Sequence, residues 1–444
     1  MQPQVPEFMK NVITILVTFV IAIVTNAQNY KPIDTADYAE RKVFIKEFKK
    51  NNETFIKSLK DKYSGKTGKE LSKVYSEFGE SFVKELEDKN FTFKSGFDTY
   101  LQKITVDLRK QNANIPQNLT FLIARNNFPN AYCMPNGLFV INTGLFNWID
   151  NKEQLLGIIA HEFSHKILEH NLKMQLLHIE TDKKNESTVL TLREEKYNRT
   201  LKAFDAFKKQ IYSNSVIKRK HEIEADSLGY VLYKSTNSKK IEFVNALKNL
   251  QDFDTISPKV LEIETYKKLY NLPKQAFNEN WLKSEDFSTY NYNHYKEKID
   301  KDSVSTHPEL DERISRLKKN FTELATSDKS LDADEEFEKY QKIARMEIIP
   351  NLYLSEDYGA GIYSAMHFLQ KDTQSENEAF VKDWLGKCFL KIYDARKAYQ
   401  LNRYLDRVDP KNQSKSYQQF LNFMWNLKLD EIKNIADYYN KKSS

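Results

Sequence analysis

At 444 residues the chain is too long for a single hydrophobic core, so we expect two or three domains. Its composition, 40% hydrophobic and 29% charged, is ordinary for a globular protein, and only 11 Gly and 11 Pro argue against a loop-rich all-β fold. The net charge of +6 is small for this length, and the Lys-rich runs lack interleaved aromatic residues. We therefore expect a largely helical protein without a nucleic-acid partner.

The first residues predict export. Lys10 precedes an apolar stretch over residues 12–24, and the small residue Ala27 stands before Gln28, an arrangement typical of a secretory signal peptide over residues 1–27. The stretch is shorter than the roughly 20 apolar residues of a membrane span, so an uncleaved anchor is the second interpretation. We expect a protein of the periplasm or cell envelope, or else a secreted one, with no membrane span after signal cleavage.

The rest of the chain alternates helical and strand patterns. Apolar positions at helical spacing predict helices between residues 35 and 110, with an interruption at residues 64–68. Continuous apolar runs over residues 119–124 and 137–142 predict two strands. Further helices are predicted after a capping Asp150 or Asn151 and towards the C-terminus, over residues 152–177, 216–233 and, in short amphipathic pieces, 333–440.

The sequence His161-Glu162-Phe163-Ser164-His165 carries the clearest chemical signal. On a helix, residues four apart lie on the same face, so His161 and His165 can bind one tetrahedral zinc ion. Glu162 lies one position round the helix, where it can accept a proton from water without ligating the metal. The alternative is a chance motif whose histidines are satisfied by their neighbours.

A catalytic zinc ion needs a third protein ligand. Position 171 is Asn, which excludes a third histidine at the spacing HExxHxxGxxH. Glu222 supplies a carboxylate instead, and Asp226, four residues on, shares its face and is placed to accept the N–H of a ligating histidine. Gly229 lies on nearly the same line and would let two helices approach closely. His221 is the alternative third ligand.

In combination, these motifs resemble peptidase family M48, which includes the CAAX prenyl endopeptidases and the HtpX heat-shock proteases. The resemblance extends over residues 115 to about 320, and the similarity is to the soluble exported members of the family. The matching residues, in order, are His161-Glu162 with His165, Glu222 with Asp226 and Leu228-Gly229, and Thr306-His307-Pro308 followed by Arg313. Ser227 stands where the family usually has Arg.

The resemblance also implies how a substrate is held. Residues 130–137 and 142–145 are similar to a family segment that forms an edge strand and binds an extended peptide by strand addition. The residues assigned to this substrate edge strand are Gly137, Leu138, Phe139 and Val140. The implied fold is α+β: a mostly helical, zincin-like metallopeptidase domain with a small sheet, plus helical N-terminal and C-terminal regions.

The implied activity is that of a zinc metalloendopeptidase with one Zn²⁺ per chain. Glu162 acts as general base, and His307 either stabilises the oxyanion or is a fourth ligand that closes the site at rest. Arg313 is expected to pair with Asp226 or with a nearby carboxylate. The implied substrates are unfolded or misassembled exported proteins.

Four regions are predicted: the signal peptide (1–27), a helical region (28–110), the metallopeptidase domain (111–325) and a helical C-terminal domain (330–444). A different class of function stays open, namely a non-catalytic scaffold or chaperone whose helical tail binds a protein partner. A small-molecule zinc hydrolase is a further alternative. An intact general base, Glu162, argues against a pure scaffold, and the predicted edge strand favours peptide substrates.

Overall fold

The structure of the chain is a computed structural model. It describes residues 30–440, apart from 94, 118, 182–198, 256–259, 285–309, 327–328, 372–376 and 411–412, and it describes only the backbone of 199–213 and 254–255. The predicted signal peptide and His307 therefore lie outside the described residues. Among the residues that are described, no helix combines the length and the hydropathy that a bilayer span requires.

The chain forms two compact units. The first, called here the sheet-containing unit, comprises Ile33–Ser257 and Asp286–Asn351. The second, the helical unit, comprises Met1–Pro32, Pro258–Glu285 and Leu352–Ser444. These units divide the chain differently from the predicted boundaries at residues 111 and 330. Side chains of the N-terminal helices share one core with the sheet, and side chains after residue 330 share another with the helix that carries the HExxH motif.

The sheet-containing unit begins with two long helices, α1 (Tyr38–Lys62) and α2 (Gly65–Glu87), which pack against each other. The predicted interruption at residues 64–68 is shorter and slightly earlier in the structure: α1 ends at Lys62 and α2 begins at Gly65, so only residues 63–64 link the helices. Phe48 and Phe82 are buried against strand residues such as Leu122 and Val140. Two short helices follow, α3 (Phe97–Ile104) and α4 (Val106–Gln111).

The sheet has four strands in the order β1-β2-β4-β3. The strands predicted at 119–124 and 137–142 are confirmed, and two short ones were missed; the bounds are β1 (Phe91–Thr92), β2 (Thr120–Ala124), β3 (Ala131–Cys133) and β4 (Leu138–Asn142). Strand β4 pairs with β2 in parallel and with β3 antiparallel, so both of its edges are occupied.

The pairing of β4 corrects one expectation. Gly137, Leu138, Phe139 and Val140 were assigned to an edge strand, but Leu138–Asn142 is an internal strand whose residues are all buried. The edge at this side of the sheet is β3, which belongs to the same family-like segment. The assignment was wrong because a three-residue strand is too short to carry a visible alternation of apolar and polar residues.

The metal-motif helix, α5 (Lys152–Ile167), follows a 3₁₀ turn over Thr143–Asn147. Asn151 caps it, because its side chain accepts a hydrogen bond from the Gln154 backbone N–H at 2.9 Å. The buried carboxylate of Glu242 accepts hydrogen bonds from the side chains of both Asn151 and Gln154. These bonds fix the start of α5 and connect it to the helix that begins at Glu242.

The helix predicted over residues 152–177 is two helices in the structure. Helix α5 ends at Ile167, Glu169 adopts a left-handed conformation with φ of 53°, and α6 runs over residues 170–181. The long α7 (Arg199–Lys234) packs along α5, and α8 (Glu242–Thr255) packs on α5 as well.

In the described part of the sheet-containing unit, the further α-helices are α10 (Leu310–Asn320), α11 (Glu335–Met346) and the start of α12 (Ile348–Leu354). The described part of the helical unit contains α9 (Ile263–Tyr270), α13 (Tyr358–Lys371), α14 (Glu378–Lys397), α15 (Lys415–Asn426) and α16 (Leu429–Asn440). The fold class is therefore confirmed as a mostly helical α+β fold with a small sheet.

Candidate metal centre

Helices α5 and α7 bring the three proposed metal ligands together. The Nε2 atoms of His161 and His165 lie 3.1 Å apart. The Glu222 carboxylate oxygens lie 3.6 Å from His161 Nε2 and 3.5 Å from His165 Nε2. All three side chains are largely buried, with 11 to 14% of their surface exposed. The α5 and α7 faces that carry these groups meet because Gly229 stands where the two helices cross.

These separations fit a tetrahedral zinc ion. Zinc lies about 2.0–2.2 Å from His nitrogen and carboxylate oxygen, so ligand atoms of one tetrahedral site are about 3.3 Å apart. The three observed separations lie close to that value, and the atoms belong to residue types that zinc prefers. His161 Nδ1 faces a different carboxylate, which leaves Nε2 as the atom turned towards the other two ligands.

Asp226 and Arg313 form a buried brace behind the cluster. Arg313 donates two hydrogen bonds of 2.7 Å to the two oxygens of the Asp226 carboxylate. Asp226 Oδ1 also lies 3.0 Å from His161 Nδ1, and Arg313 Nη1 lies 3.2 Å from Glu222. Burial alone would raise the pKa of Asp226, but the Arg313 charge and hydrogen bonds hold it below its ordinary value. The carboxylate therefore stays ionised and fixes the orientation of the His161 ring.

The pKa values of His161 and His165 are shifted in opposite directions. Burial opposes a charged imidazole, yet the carboxylates of Asp226 and Glu222 raise the pKa of His161 to about 10. Burial, together with the charge of His161, lowers the pKa of His165 to about 3. At neutral pH both ring nitrogens of His161 therefore carry a proton, and a metal ion can bind Nε2 only when that nitrogen loses its proton.

Glu162 lies beside the cluster without joining it. Burial raises the pKa of this carboxyl to about 7, against the lowering effects of the His161 charge and of a backbone hydrogen bond from Cys133. A carboxyl group with a pKa close to neutral can both accept and return a proton at physiological pH. This is the property that a general base of peptide hydrolysis needs.

Gly229 is required by the crossing of α5 and α7. A Cβ atom at this position would lie 2.9 Å from the Cα atom and 3.1 Å from the backbone nitrogen of His161. Neither backbone atom can yield without moving helix α5, so a larger residue would drive the two helices apart. The close approach expected from the sequence is therefore present, and it sets the distance between Glu222 and the histidine pair.

We accordingly expect Gly229→Ala to weaken both the fold and the metal site. The added methyl group should lower the free energy of unfolding by about 1–3 kcal/mol, the usual cost of overpacking. Zinc affinity should fall as well, because Glu222 lies two turns earlier on the displaced helix. Urea unfolding and a competitive zinc titration measure the two effects. Ser227→Ala, on the same helix, is the matched control, and equal behaviour of the two variants would contradict the role of Gly229.

A cavity of about 160 Å³ adjoins the cluster. His161, Glu162, Glu222 and Arg313 line one side of it. The rest of the lining is mostly apolar and comes from the loop before β3, the 3₁₀ turn before α5, and helices α5 and α8. It includes Pro129, Leu145, Ile158, Phe243, Leu247 and Leu250. The cavity thus places an apolar side-chain site next to the proposed reaction centre.

Strand β3 also borders the cluster and forms one edge of the sheet, where the Cys133 backbone hydrogen-bonds with Glu162 and accepts a bond of 3.4 Å from Asn171. Met134 N donates to Leu138 O, and Asn142 N donates to Asn130 O, so even-numbered residues of the β3 segment pair with β4. Alternate residues of a strand direct their backbone groups to opposite neighbours, so Ala131 and Cys133 face away from β4. The Cys133 backbone contacts Glu162, which places this edge directly beside the general base candidate.

The structure also brings together three residues outside the proposed ligand set, His170, His221 and Glu224. His170 is buried, and its Nδ1 atom lies 3.0 Å from His165 Nδ1. Its Nε2 atom lies 3.2 Å from the Glu224 carboxylate, and its ring stacks on His221 at 4.0 Å. On one continuous helix, His170 would point away from His161. The left-handed Glu169 redirects the chain, and no Gly or Pro in the sequence marks that break.

Two comparisons with known proteins identify the family of the chain. The family model described as Peptidase family M48 matches residues 97–320, which is about half of the chain. The mitochondrial metalloendopeptidase OMA1 of Bos taurus is 30% identical over 118 residues, covering 25% of this chain and 23% of OMA1. The chain thus spans less than a quarter of that relative's length. The matched residues contain both the HExxH helix and the second acidic helix, and the chain belongs to peptidase family M48.

Proposed function

We propose that the chain is a zinc-dependent endopeptidase with one zinc ion per chain, held by His161, His165 and Glu222. The observation that carries the proposal is the mutual approach of these three ligand groups to within 3.1–3.6 Å. Membership of family M48 and the similarity to a metalloendopeptidase support it. The buried Asp226–Arg313 brace is the kind of outer support that a metal-ligating histidine requires.

Zinc, when bound, supplies a Lewis acid that polarises the scissile carbonyl group and lowers the pKa of water. Glu162 accepts the proton of the attacking water and then delivers it to the leaving amine. We propose that His307 donates a hydrogen bond to the developing oxyanion. The alternative is that His307 is a fourth zinc ligand that closes the site at rest. His307→Ala separates the two, because a fall in peptidase activity supports the first role and a rise supports the second.

The substrate we propose is an extended peptide. Its backbone would lie along the β3 edge of the sheet at Ala131, whose backbone groups face away from β4, and one of its apolar side chains would enter the 160 Å³ cavity. The size and lining of the cavity suit a side chain such as Leu. Apolar segments are exposed by unfolded or misassembled proteins, which we propose as the natural substrates. A protein partner of the C-terminal helices remains part of this proposal.

We also propose that the protein is exported, to the periplasm or cell envelope or into the medium. The support is the sequence of residues 1–27, with Lys10, the apolar stretch 12–24 and Ala27 before Gln28. N-terminal sequencing of the mature protein is the direct test. A start at Gln28 is the expected result, and an intact N-terminus contradicts signal cleavage.

Metal removal tests the proposed activity. We expect the purified chain to hold one zinc ion, to cleave unfolded casein, to lose cleavage on treatment with a chelator and to regain it with added zinc. His161→Ala should lose both zinc and activity, whereas His178→Ala, at a histidine outside the cluster, should keep both. Zinc binding without cleavage by the unmodified chain would favour the scaffold interpretation, and the absence of zinc would overturn the ligand assignment.

Cleavage of a set of related peptides tests the proposed substrate class. Peptides that differ at one position among Gly, Ala, Leu and Asp should be cleaved fastest with Leu and slowest with Asp, because the cavity lining is mostly apolar. Leu247→Trp, which fills the cavity, should abolish the preference for Leu over Ala. A preference that this variant leaves unchanged contradicts the assignment of the cavity. Faster cleavage of small esters than of any peptide would favour a small-molecule hydrolase.

A further inference from the structure

A chain of hydrogen-bonding groups leads from the metal cluster through a second histidine to a carboxylate. His165 Nε2 faces His161 Nε2 at 3.1 Å, and on its other side His165 Nδ1 faces His170 Nδ1 at 3.0 Å. His170 Nε2 then faces the Glu224 carboxylate at 3.2 Å. Each side chain in this series is within hydrogen-bonding distance of the next, and the His170 ring is buried.

The direction of the hydrogen bonds along this series of groups follows from the Glu224 carboxylate at one end of it. The Glu224 carboxylate can only accept, so His170 Nε2 carries the hydrogen and donates it. A neutral His170 then presents an unprotonated Nδ1, which accepts a hydrogen bond from His165 Nδ1–H. With its hydrogen on Nδ1, His165 directs the lone pair of Nε2 towards His161 and Glu222. One carboxylate therefore determines which nitrogen of His165 is free for a metal ion.

We propose that His170 and Glu224 are positioning residues that fix the tautomer and the ring orientation of His165. They do for the second histidine of the motif what Asp226 does for the first, and they do not touch the reacting atoms. The inference deepens the proposed metal site and rests on it. His221 completes the arrangement, because its ring lies parallel to that of His170, at an angle of 7° and a distance of 4.0 Å, and limits its rotation.

The same three side chains, His170, His221 and Glu224, are close enough together to suggest a second metal site. The ring geometry argues against it. Imidazole binds a metal ion in the plane of the ring, at about 2.0–2.1 Å from the nitrogen. The lone pairs of two stacked rings 4.0 Å apart lie in two separate, nearly parallel planes, so they do not converge on one ion. His170 Nδ1 is, in addition, already opposed to His165. The hydrogen-bonded support accounts for the contacts of His170 with His165 and Glu224.

The test uses the full chain and measures its zinc dissociation constant by competition with a chelator. His170→Phe keeps the stack on His221 but cannot accept a hydrogen bond, and should raise the dissociation constant by about 10- to 100-fold. His170→Asn retains an acceptor near the position of Nδ1 and should stay within about threefold of the unmodified chain. His178→Phe, on the same helix α6, is the matched control and should cause no change.

A second pair of variants covers the case in which His170→Phe fails to fold. The Glu224 side chain is 38% exposed, so its replacement should leave the fold intact. Glu224→Ala should raise the zinc dissociation constant at least about threefold, and Glu224→Gln, which still accepts a hydrogen bond, should restore it. Equal zinc affinity in His170→Phe, Glu224→Ala and the unmodified chain would overturn the proposal.

Nitrogen NMR of the metal-free protein provides a readout that does not depend on zinc. His165 should be the Nδ1–H tautomer in the unmodified chain and in His170→Asn, and should shift towards Nε2–H in His170→Phe. If His165 has the same tautomer in His170→Phe as in the unmodified chain, the proposed support is wrong. It is also wrong if the unmodified chain binds two zinc ions and Glu224→Ala binds only one. If the unmodified chain binds no zinc, the proposed function fails, while the tautomer measurement still decides the support.

Discussion

Replacing Glu162 by Gln should lower kcat/KM for a peptide substrate by about a thousandfold, within the range that general acid–base catalysis contributes. Gln has the size of Glu but cannot take a proton from water. Because the Glu162 carboxylate is not one of the clustered ligand groups, the variant should still bind one zinc ion. Steady-state cleavage of a fluorogenic peptide, together with zinc analysis of the same sample, measures both effects.

The matched control is Glu153→Gln, the same substitution in the first turn of the same helix. Position 153 is nine residues from position 162, or about 13 Å along the helix axis, so activity should be unchanged. Two results would contradict the role of Glu162. One is activity within tenfold of the unmodified chain, and the other is loss of zinc from Glu162→Gln, which would make Glu162 a ligand.

Arg313→Met should be among the most destabilising single substitutions at the site. It removes both hydrogen bonds of 2.7 Å from Asp226 and leaves a buried carboxylate without its cation. The loss of one partner from a buried pair costs about 3–5 kcal/mol, which should appear as a lower free energy of unfolding in urea. Zinc affinity should also fall, because an unbraced Asp226 no longer orients His161.

Arg316→Met is the control for Arg313→Met, since both arginines lie on helix α10 and Arg316 pairs with Glu312. The Arg316 side chain is 53% exposed, and exposed pairs contribute about 0–1 kcal/mol, so the control should unfold nearly as the unmodified chain does. If the two variants unfold alike, the buried brace does not stabilise the fold.

The local parts of the site were predictable from the sequence because they depend on helix periodicity. The four-residue spacing of His161 and His165 places both rings on one face of α5 whatever surrounds that helix. The spacing from Glu222 to Asp226 does the same on α7, and Gly229 marks where the two helices meet. Strand β4 was predictable because a strand that is buried on both faces consists of a nearly continuous run of apolar residues.

The parts that were missed depend on contacts between distant segments. Nothing local in residues 131–133 shows that they form a strand, or that they pair with residues 139–141 and so make β4 internal. The turn at Glu169 contains no Gly or Pro, so no residue in the sequence indicates that the helix ends before His170. The N-terminal helices share a core with the sheet through Phe48 and Phe82, which sequence periodicity identifies as buried but cannot pair with a partner.

The central claim is that His161, His165 and Glu222 hold a zinc ion, and anomalous diffraction at the zinc edge tests it most directly. Crystals of the full chain grown with zinc should show one strong peak about 2.0–2.2 Å from both Nε2 atoms and from a Glu222 oxygen. A peak beside His170 and Glu224 in place of this one, or no peak at the cluster, would contradict the claim.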